Sequence, residues 1–289
     1  MDVAIKAESK IPLKKRITTF LGCCPLRVLF DDGNQGLIGR GSGHLLIRFE
    51  IIEGRRSPLP VIEVGNFCES AQCHIQIGGE HPNDRIFNNS LSSVPLLRSF
   101  LQTNGFDGYK ASHTQTTVIG HGVVLSKNCL VNVGARIGDG AVIGSGAVVT
   151  RSEIPRWAIA AGVPAKSIRE RISPAQQEIA DALQWWNWDI EFFCRHVHLL
   201  FDAETHYKTL LANRVMADER YRLVVQMHGS GGADKDLSLS LVALEDAGRT
   251  IPIRETPQRF QNYFAQMGAP EDQLLTWMPN PFRLLGDGG

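Results

Sequence analysis

The chain has 289 residues, 43% of them hydrophobic, with 30 basic and 30 acidic side chains. That length supplies one large domain or two smaller ones. Zero formal net charge gives no electrostatic footprint for nucleic acid or an anionic membrane surface, and no stretch reaches the roughly 20 apolar residues of a membrane span. The six cysteines show no CxxC pair, so neither a disulfide framework nor a zinc site is expected. The N-terminal run KKRITTFLGCCPL has a basic start and an apolar stretch, but it is short, contains Pro25 and meets Arg27 soon after. It reads as a poor export signal, and a cytoplasmic protein is expected.

Residues 1–33 are expected to pack as a cap or helix beside the first turn of the fold. From Gln35 to Val64 the sequence is strand-like, with HLLIRFEII the strongest run. A regular unit occupies Val64–Gly79, after which periodicity breaks. Residues 81–115 carry Pro82, Pro95 and several asparagines, as expected of a functional loop inserted in a repeat.

From Val118 to Val149 the pattern is unambiguous. An aliphatic residue returns at Ile119, Leu125, Val131, Ile137, Ile143 and Val149, and a smaller residue precedes it by two at Val123, Cys129, Ala135, Ala141 and Ala147. A period of six indicates a parallel β-helix, in which each hexad is a short strand plus a turn and the aliphatic side chain stacks inside the column. An α-helix would need apolar residues at i, i+3, i+4 and i+7. Cys129 falls on an inward position, where a thiol packs as a small apolar group. Beyond the coils, Ser173 and Pro174 mark a helix start, with serine as cap and proline in the first position. Further on, RYRLVVQM, LSLSLVAL and TIPI read as strands, and TPQRFQNYFAQM as a short helix capped by Thr256. The expected organisation is a cap (1–33), a β-helix domain (34–160) with its loop (81–115), an exit segment and helix (161–199), and a small α+β appendage (200–289).

The hexad segment and its continuation to Ile172 resemble the left-handed β-helix hexapeptide-repeat acyltransferases. VGNFCESAQ (64–72), IGGEHPND (77–84) and WWNWDI (185–190) make the xenobiotic acyltransferase branch, with its type B chloramphenicol and streptogramin acetyltransferases, the most similar. The resemblance spans roughly residues 60–195. It implies a left-handed β-helix assembled as a homotrimer with active sites between subunits, and acetyl-CoA as cosubstrate without a metal. It also implies that His81 deprotonates the acceptor hydroxyl, which then attacks acetyl-CoA directly. Histidine suits this because its pKa lies near working pH. Asp84 is a candidate orienting carboxylate. The stretch AAGVPAKSI implies a coenzyme groove made by Ala160, Gly162, Val163, Pro164, Ala165, Lys166 and Arg169, with Ser126 and Gly144 on neighbouring coils. Small residues admit a pantetheine arm, and Lys166 offers a cation to a phosphate.

Phe87 and Tyr109, in the inserted loop, could line an acceptor site or pack as the loop's own core. Many relatives carry Trp-Ile-Gly where this chain has Val124, Leu125 and Ser126, a departure that bears on the acceptor or thioester pocket. Because the loop diverges and an appendage follows, a hydroxyl of a carbohydrate or polysaccharide precursor is the expected acceptor. An antibiotic hydroxyl and an amino sugar are the alternatives. Two other classes compete: a γ-class carbonic-anhydrase-like metalloenzyme, invited by His81, His113 and His121, and a catalytically inert β-helix scaffold.

Overall fold

The computed structural model describes residues 25–29, 33–42, 46–49, 60–71, 73–77, 86, 99–100, 103–105, 115–228, 238–251 and 276–277. Thirteen short strands wind round three sheets: β1 (Leu26–Leu29), β2 (Gln35–Ile38), β3 (Leu46–Phe49), β4 (Ile62–Val64), β5 (Glu69–Ser70), β6 (His74–Ile77), β7 (Thr117–Ile119), β8 (Val124–Leu125), β9 (Leu130–Val131), β10 (Arg136–Ile137), β11 (Val142–Ile143), β12 (Val148–Val149) and β13 (Glu153–Ile154). From β7 onward each hexad supplies one strand, and successive strands fall on successive sheets. Every third hexad therefore pairs in parallel: Ile119 with Ile137, Leu125 with Ile143, Val131 with Val149. This is a three-faced parallel β-helix, as the period of six requires.

Both inward series are buried as the spacing predicts. The six aliphatic positions are at most 2% exposed, and Val123, Cys129, Ala135, Ala141 and Ala147 are fully buried. Each such Ile, Leu or Val contributes about 1.5–3 kcal/mol relative to an exposed side chain. Thr117 on β7 pairs with Ile62 on β4, one coil earlier, so the column is in register on either side of the expected insert, most of which lies outside the described residues.

Within the segment expected to cap the first turn, Leu26–Leu29 is a strand, because Leu26 and Val28 alternate inward with Arg27 and Leu29 half-buried. It pairs antiparallel with β2. On its other edge lies β16 (Tyr221–His228), parallel to it, followed by antiparallel β17 (Ser238–Asp246) and β18 (Arg249–Ile251), with β19 (Thr276–Trp277) beside β17. The C-terminal strands therefore continue one face of the coil. An Arg27–Glu245 ion pair ties the two chain ends, with Glu245 nearly buried. The short helix expected at Thr256 lies outside the described residues.

The coil ends in a hairpin, β14 (Ala158–Ala161) and β15 (Lys166–Glu170), and then turns helical. Helix α1 (Pro174–Leu183) starts where Ser173 and Pro174 predict. The Ser173 hydroxyl accepts from the Gln176 N–H at 3.2 Å, and the Gln176 side chain accepts from the Ser173 N–H at 3.1 Å. Such a reciprocal cap contributes about 1 kcal/mol. A 3₁₀ turn at Trp185–Asn187 leads to α2 (Ile190–His196), capped by Asp189, and a second at Val197–Asp202 leads to α3 (Ala203–Asn213). Leu183, Trp188 and Leu210 form the core of this helical layer. Among the described residues no helix is long and apolar enough to cross a membrane.

The coil corners need φ > 0, and two glycines separate that need from steric fit. Gly140 (φ +64°) lies against the Trp157 ring, where a Cβ would come within 2.1 Å of Cε3 and Cζ3. Gly146 (φ +69°) has nothing within 4 Å of the same position. Gly146→Ala is expected to cost about 1 kcal/mol, the left-handed penalty alone. Gly140→Ala adds overpacking and is expected to cost about 2–4 kcal/mol. Chemical denaturation of the two variants checks this; equal losses would mean Trp157 does not hold that corner.

Candidate functional site

Small and polar side chains gather at two corners of the coil. At the first, the turns after β8 and β11 stack beside the hairpin that follows β14. Ser126 N–H donates to Ile143 O at 2.9 Å, and Gly144 N–H donates to Ala160 O at 2.8 Å. A Cβ on Gly144 would lie 3.0 Å from the Ala161 Cβ on the next coil, so only the glycine leaves this step of the corner open. The hairpin loop folds back onto β12: Val148 N–H donates to Gly162 O at 3.0 Å and Ala165 N–H to Val148 O at 2.8 Å.

Gly162 takes φ +96°, the Val163–Pro164 bond is cis, and Val163 is 72% exposed. Lys166 and Arg169 are exposed on β15, and one Arg169 nitrogen donates to Glu170 O at 2.9 Å. Ala160 and Ala165 turn their side chains into the core, so at these positions only backbone faces the corner. The structure thus brings together Ser126, Gly144, Gly162, Val163, Pro164 and Lys166 at one small-residue corner. His81, Asp84, Phe87 and Tyr109 lie outside the described residues.

The second corner follows β4, β7, β10 and β13, and the tryptophan-rich turn docks on it. The buried Arg40 guanidinium donates to Trp186 O at 2.8 Å and to Trp188 O, and lies 5.5 Å from the Phe67 ring. His121 stacks on Trp186 with centroids 5.6 Å apart and planes at 9°. Its Nδ1 accepts from the Asn66 backbone N–H at 2.9 Å, which places its proton on Nε2, and the His121 backbone N–H donates to Asp139 Oδ1 at 2.8 Å. Arg156 spans the rim from Asp139 to Asp181 of α1. In the sequence the WWNW run is legible only as part of the family resemblance and the clasp is missed, because its anchors are backbone carbonyls, which leave no side-chain pattern to read.

His121 bears on the metalloenzyme alternative. Its Nδ1 lone pair is already engaged by a backbone N–H, so that nitrogen is not available to a metal. Among the described residues no three His, Cys, Asp or Glu side chains group to hold a metal; His81 and His113 lie outside them.

The clasp makes stability depend on pH. Burial pushes the His121 pKa below its ordinary value of 6.5, with Arg40 and Arg156 adding to the shift and the Asp139 and Glu219 carboxylates opposing it. A depressed folded-state pKa means the unfolded chain takes up the proton first. The contribution is full above pH 6.5 and is lost as pH falls through the lower folded value. His121→Asn keeps an acceptor for the Asn66 N–H but does not titrate. The variant is expected to lose less stability than the wild type between pH 6.5 and 5 in urea titrations; parallel losses would show that His121 is not the linked group.

No protein-family model matches the chain. It is 40% identical over 139 residues to a chloramphenicol acetyltransferase from Morganella morganii, covering 47% of this chain and 64% of that protein. A second chloramphenicol acetyltransferase, from Agrobacterium fabrum (strain C58), is 34% identical over 131 residues, covering 44% and 60%. Among solved structures, a maltose O-acetyltransferase from Clostridium difficile 630 aligns over 50% of this chain and 64% of its own at 22% identity; its TM-score of 0.31 is too low to support any argument. The chain thus spans about 60% of the length of the curated relatives it matches. The resemblance carried by the hexads, GGEHPND and WWNW, to the xenobiotic branch of the hexapeptide-repeat acyltransferases, is borne out by the sequence matches.

Proposed function

We propose that the chain is an acetyl-CoA-dependent O-acetyltransferase, its β-helix left-handed, acting on a hydroxyl of a carbohydrate or polysaccharide precursor. The observation that carries this reading is the small-residue corner. Ser126, Gly144 and Gly162 leave room along successive coils, and Lys166 stands exposed beside them. A pantetheine arm laid there meets backbone rather than side chains, and Lys166, with Arg169, supplies positive charge for the coenzyme's phosphates. His81 acts as the general base, with Asp84 as its orienting carboxylate. It takes the acceptor's hydroxyl proton as the oxygen attacks the thioester carbonyl; when the tetrahedral intermediate collapses the C–S bond breaks and the His81 imidazolium returns that proton to the sulfur, so the coenzyme leaves as a thiol. Phe87 and Tyr109 are assigned to the acceptor side.

Assembly as a homotrimer with active sites between subunits completes the proposal. It is supported by the outer face of one sheet, where Val124, Val142 and Ile159 stand in register on β8, β11 and β14 as an apolar β-branched ladder. Val124 is 37% exposed, and a second copy of the chain would cover it. A second reading has its own support: the curated relatives are named for chloramphenicol, so an antibiotic hydroxyl is the alternative acceptor.

Release of coenzyme A from acetyl-CoA, followed with a thiol reagent against sugars, oligosaccharides and chloramphenicol, tests the function. Saturable release with a sugar or oligosaccharide is expected; release with chloramphenicol alone would move the acceptor to the second reading, and release with none would remove the activity. His81→Ala is expected to lower kcat by roughly 10²–10⁴-fold while acetyl-CoA still raises Tm. Near-normal turnover would take His81 out of the mechanism. Lys166→Ala is expected to raise the Kd for acetyl-CoA about tenfold, the effect of one charge-assisted contact. An unchanged Kd, measured calorimetrically, would place the coenzyme elsewhere.

A further inference from the structure

The strand edge at the start of the coil is closed by the far end of the chain. β1 stands at the head of the sheet that continues through β2, β4, β7, β10 and β13, and its other edge is taken by β16. Leu26 to Leu29 pair in parallel with Leu223 to Gln226, and the Leu223 N–H donates to Pro25 O at 3.0 Å. Packing accompanies the pairing. Tyr221 and Leu223 are buried in the same apolar core as Leu26, Val28, Ile62 and Ile119, and Ile251 of β18 packs against that core. An ion pair from Arg27 on β1 reaches across β16 to Glu245 on β17. The C-terminal strands thus end the sheet and close the column's core together.

Without β16, β1 would present unpaired backbone groups beside an open apolar core. Such an edge is a template for pairing with another chain, and repeat columns need a terminal unit that shields the last repeat for the same reason. The edge that replaces it has the opposite character. The β16–β17 ladder shifts register between Val224 and Val225, an irregularity that disrupts regular pairing. Among the described residues, β18 is the outermost strand at this end, with only 3 residues. It begins at exposed Arg249, after a turn in which Ala247 and Gly248 both take positive φ. β18 pairs with β17 at Leu244–Asp246 and β19 pairs with it at Leu239 and Ser240, so two short strands divide the edge of a long one. Short, irregular and charged edges resist strand addition.

We propose that the β1 edge is a self-association surface for a second copy of this chain, and that β16–β18 form an intramolecular cap that keeps it closed. Two β1 edges that meet across a two-fold axis pair antiparallel, so the assembly closes at a pair instead of growing. This surface lies at the opposite end of the column from the β14–β15 hairpin and rests on no part of the acetyl-transfer reading.

Val225→Pro in the full chain opens the cap. N–H groups two residues apart on a strand point to the same neighbour, so the Val225 N–H faces β1 as that of Leu223 does, and proline removes it from the ladder. Light scattering is expected to give about twice the wild-type mass at high concentration, falling to the wild-type value on dilution. Hydrogen–deuterium exchange at Leu26–Leu29 is expected to be slow in the doubled form and fast in the dilute one, with β7–β12 slow in both. The wild-type mass at every concentration while Leu26–Leu29 exchange fast would overturn the proposal. So would a doubled form in which Leu26–Leu29 still exchange fast, or slow exchange there in the dilute variant. If β7–β12 lose protection in Val225→Pro, Glu245→Gln is the second variant, since it removes the ion pair and leaves the ladder intact. Doubling is then expected to begin at a lower urea concentration than in the wild type, and coincident onsets would overturn the proposal.

Discussion

In-register stacking of aliphatic side chains on successive coils is the constraint on which everything else rests. Ile119 sits beside Ile137 and Ile137 beside Ile154, while Leu125 sits beside Ile143 and Ile143 beside Ala160. A strand slipped by one residue would turn its apolar set outward, so burial on one side fixes the register of the whole column. With the column fixed, every corner recurs at the same position on the next coil. Ser126, Gly144 and Gly162 can then form a groove, and Asn66, His121, Asp139 and Arg156 can form a clasp, although neither group is contiguous in sequence.

The clasp shows how the helical layer is held. Arg40 is 2% exposed and donates to the Trp186 and Trp188 carbonyls, satisfying backbone acceptors that the tight tryptophan turn leaves without helical partners. Burying a guanidinium is expensive, and the cost is offset here by charge-assisted hydrogen bonds and the adjacent Phe67 ring. Burial at this corner, with smaller contributions from Arg40 and Arg156 and against the Asp139 and Glu219 carboxylates, lowers the pKa of the His121 imidazole that stacks on Trp186. Docking in turn places α1 and α2 over the end of the coil, which leaves a cavity beside Trp157.

Local signals were legible in the sequence and long-range ones were not. The hexads announced themselves because a column repeats one environment, and Ser173–Pro174 announced α1 because a cap is made by residues three apart. The small-residue corner could be assembled on paper, since a fixed period says which residues lie on neighbouring coils. The pairing of β1 with β16 could not, because strand partners distant in sequence leave no shared pattern in either segment. Nor could the role of Arg40, whose acceptors are carbonyls that any residue would provide. The strand at Leu26–Leu29 does not stand out in the sequence, because a four-residue alternation is too short to carry a signal. The base and the acceptor residues of the proposed site lie in the inserted loop, where the period that made the rest readable is absent.

The central claim, that acetyl-CoA lies along the small-residue corner, is tested most directly by hydrogen–deuterium exchange of the full chain with and without acetyl-CoA. The account predicts slowed exchange in peptides spanning Ser126–Cys129, Gly144–Ala147 and Gly162–Lys166, with β17 unchanged. Protection confined to other segments, or none at saturating acetyl-CoA, would contradict it.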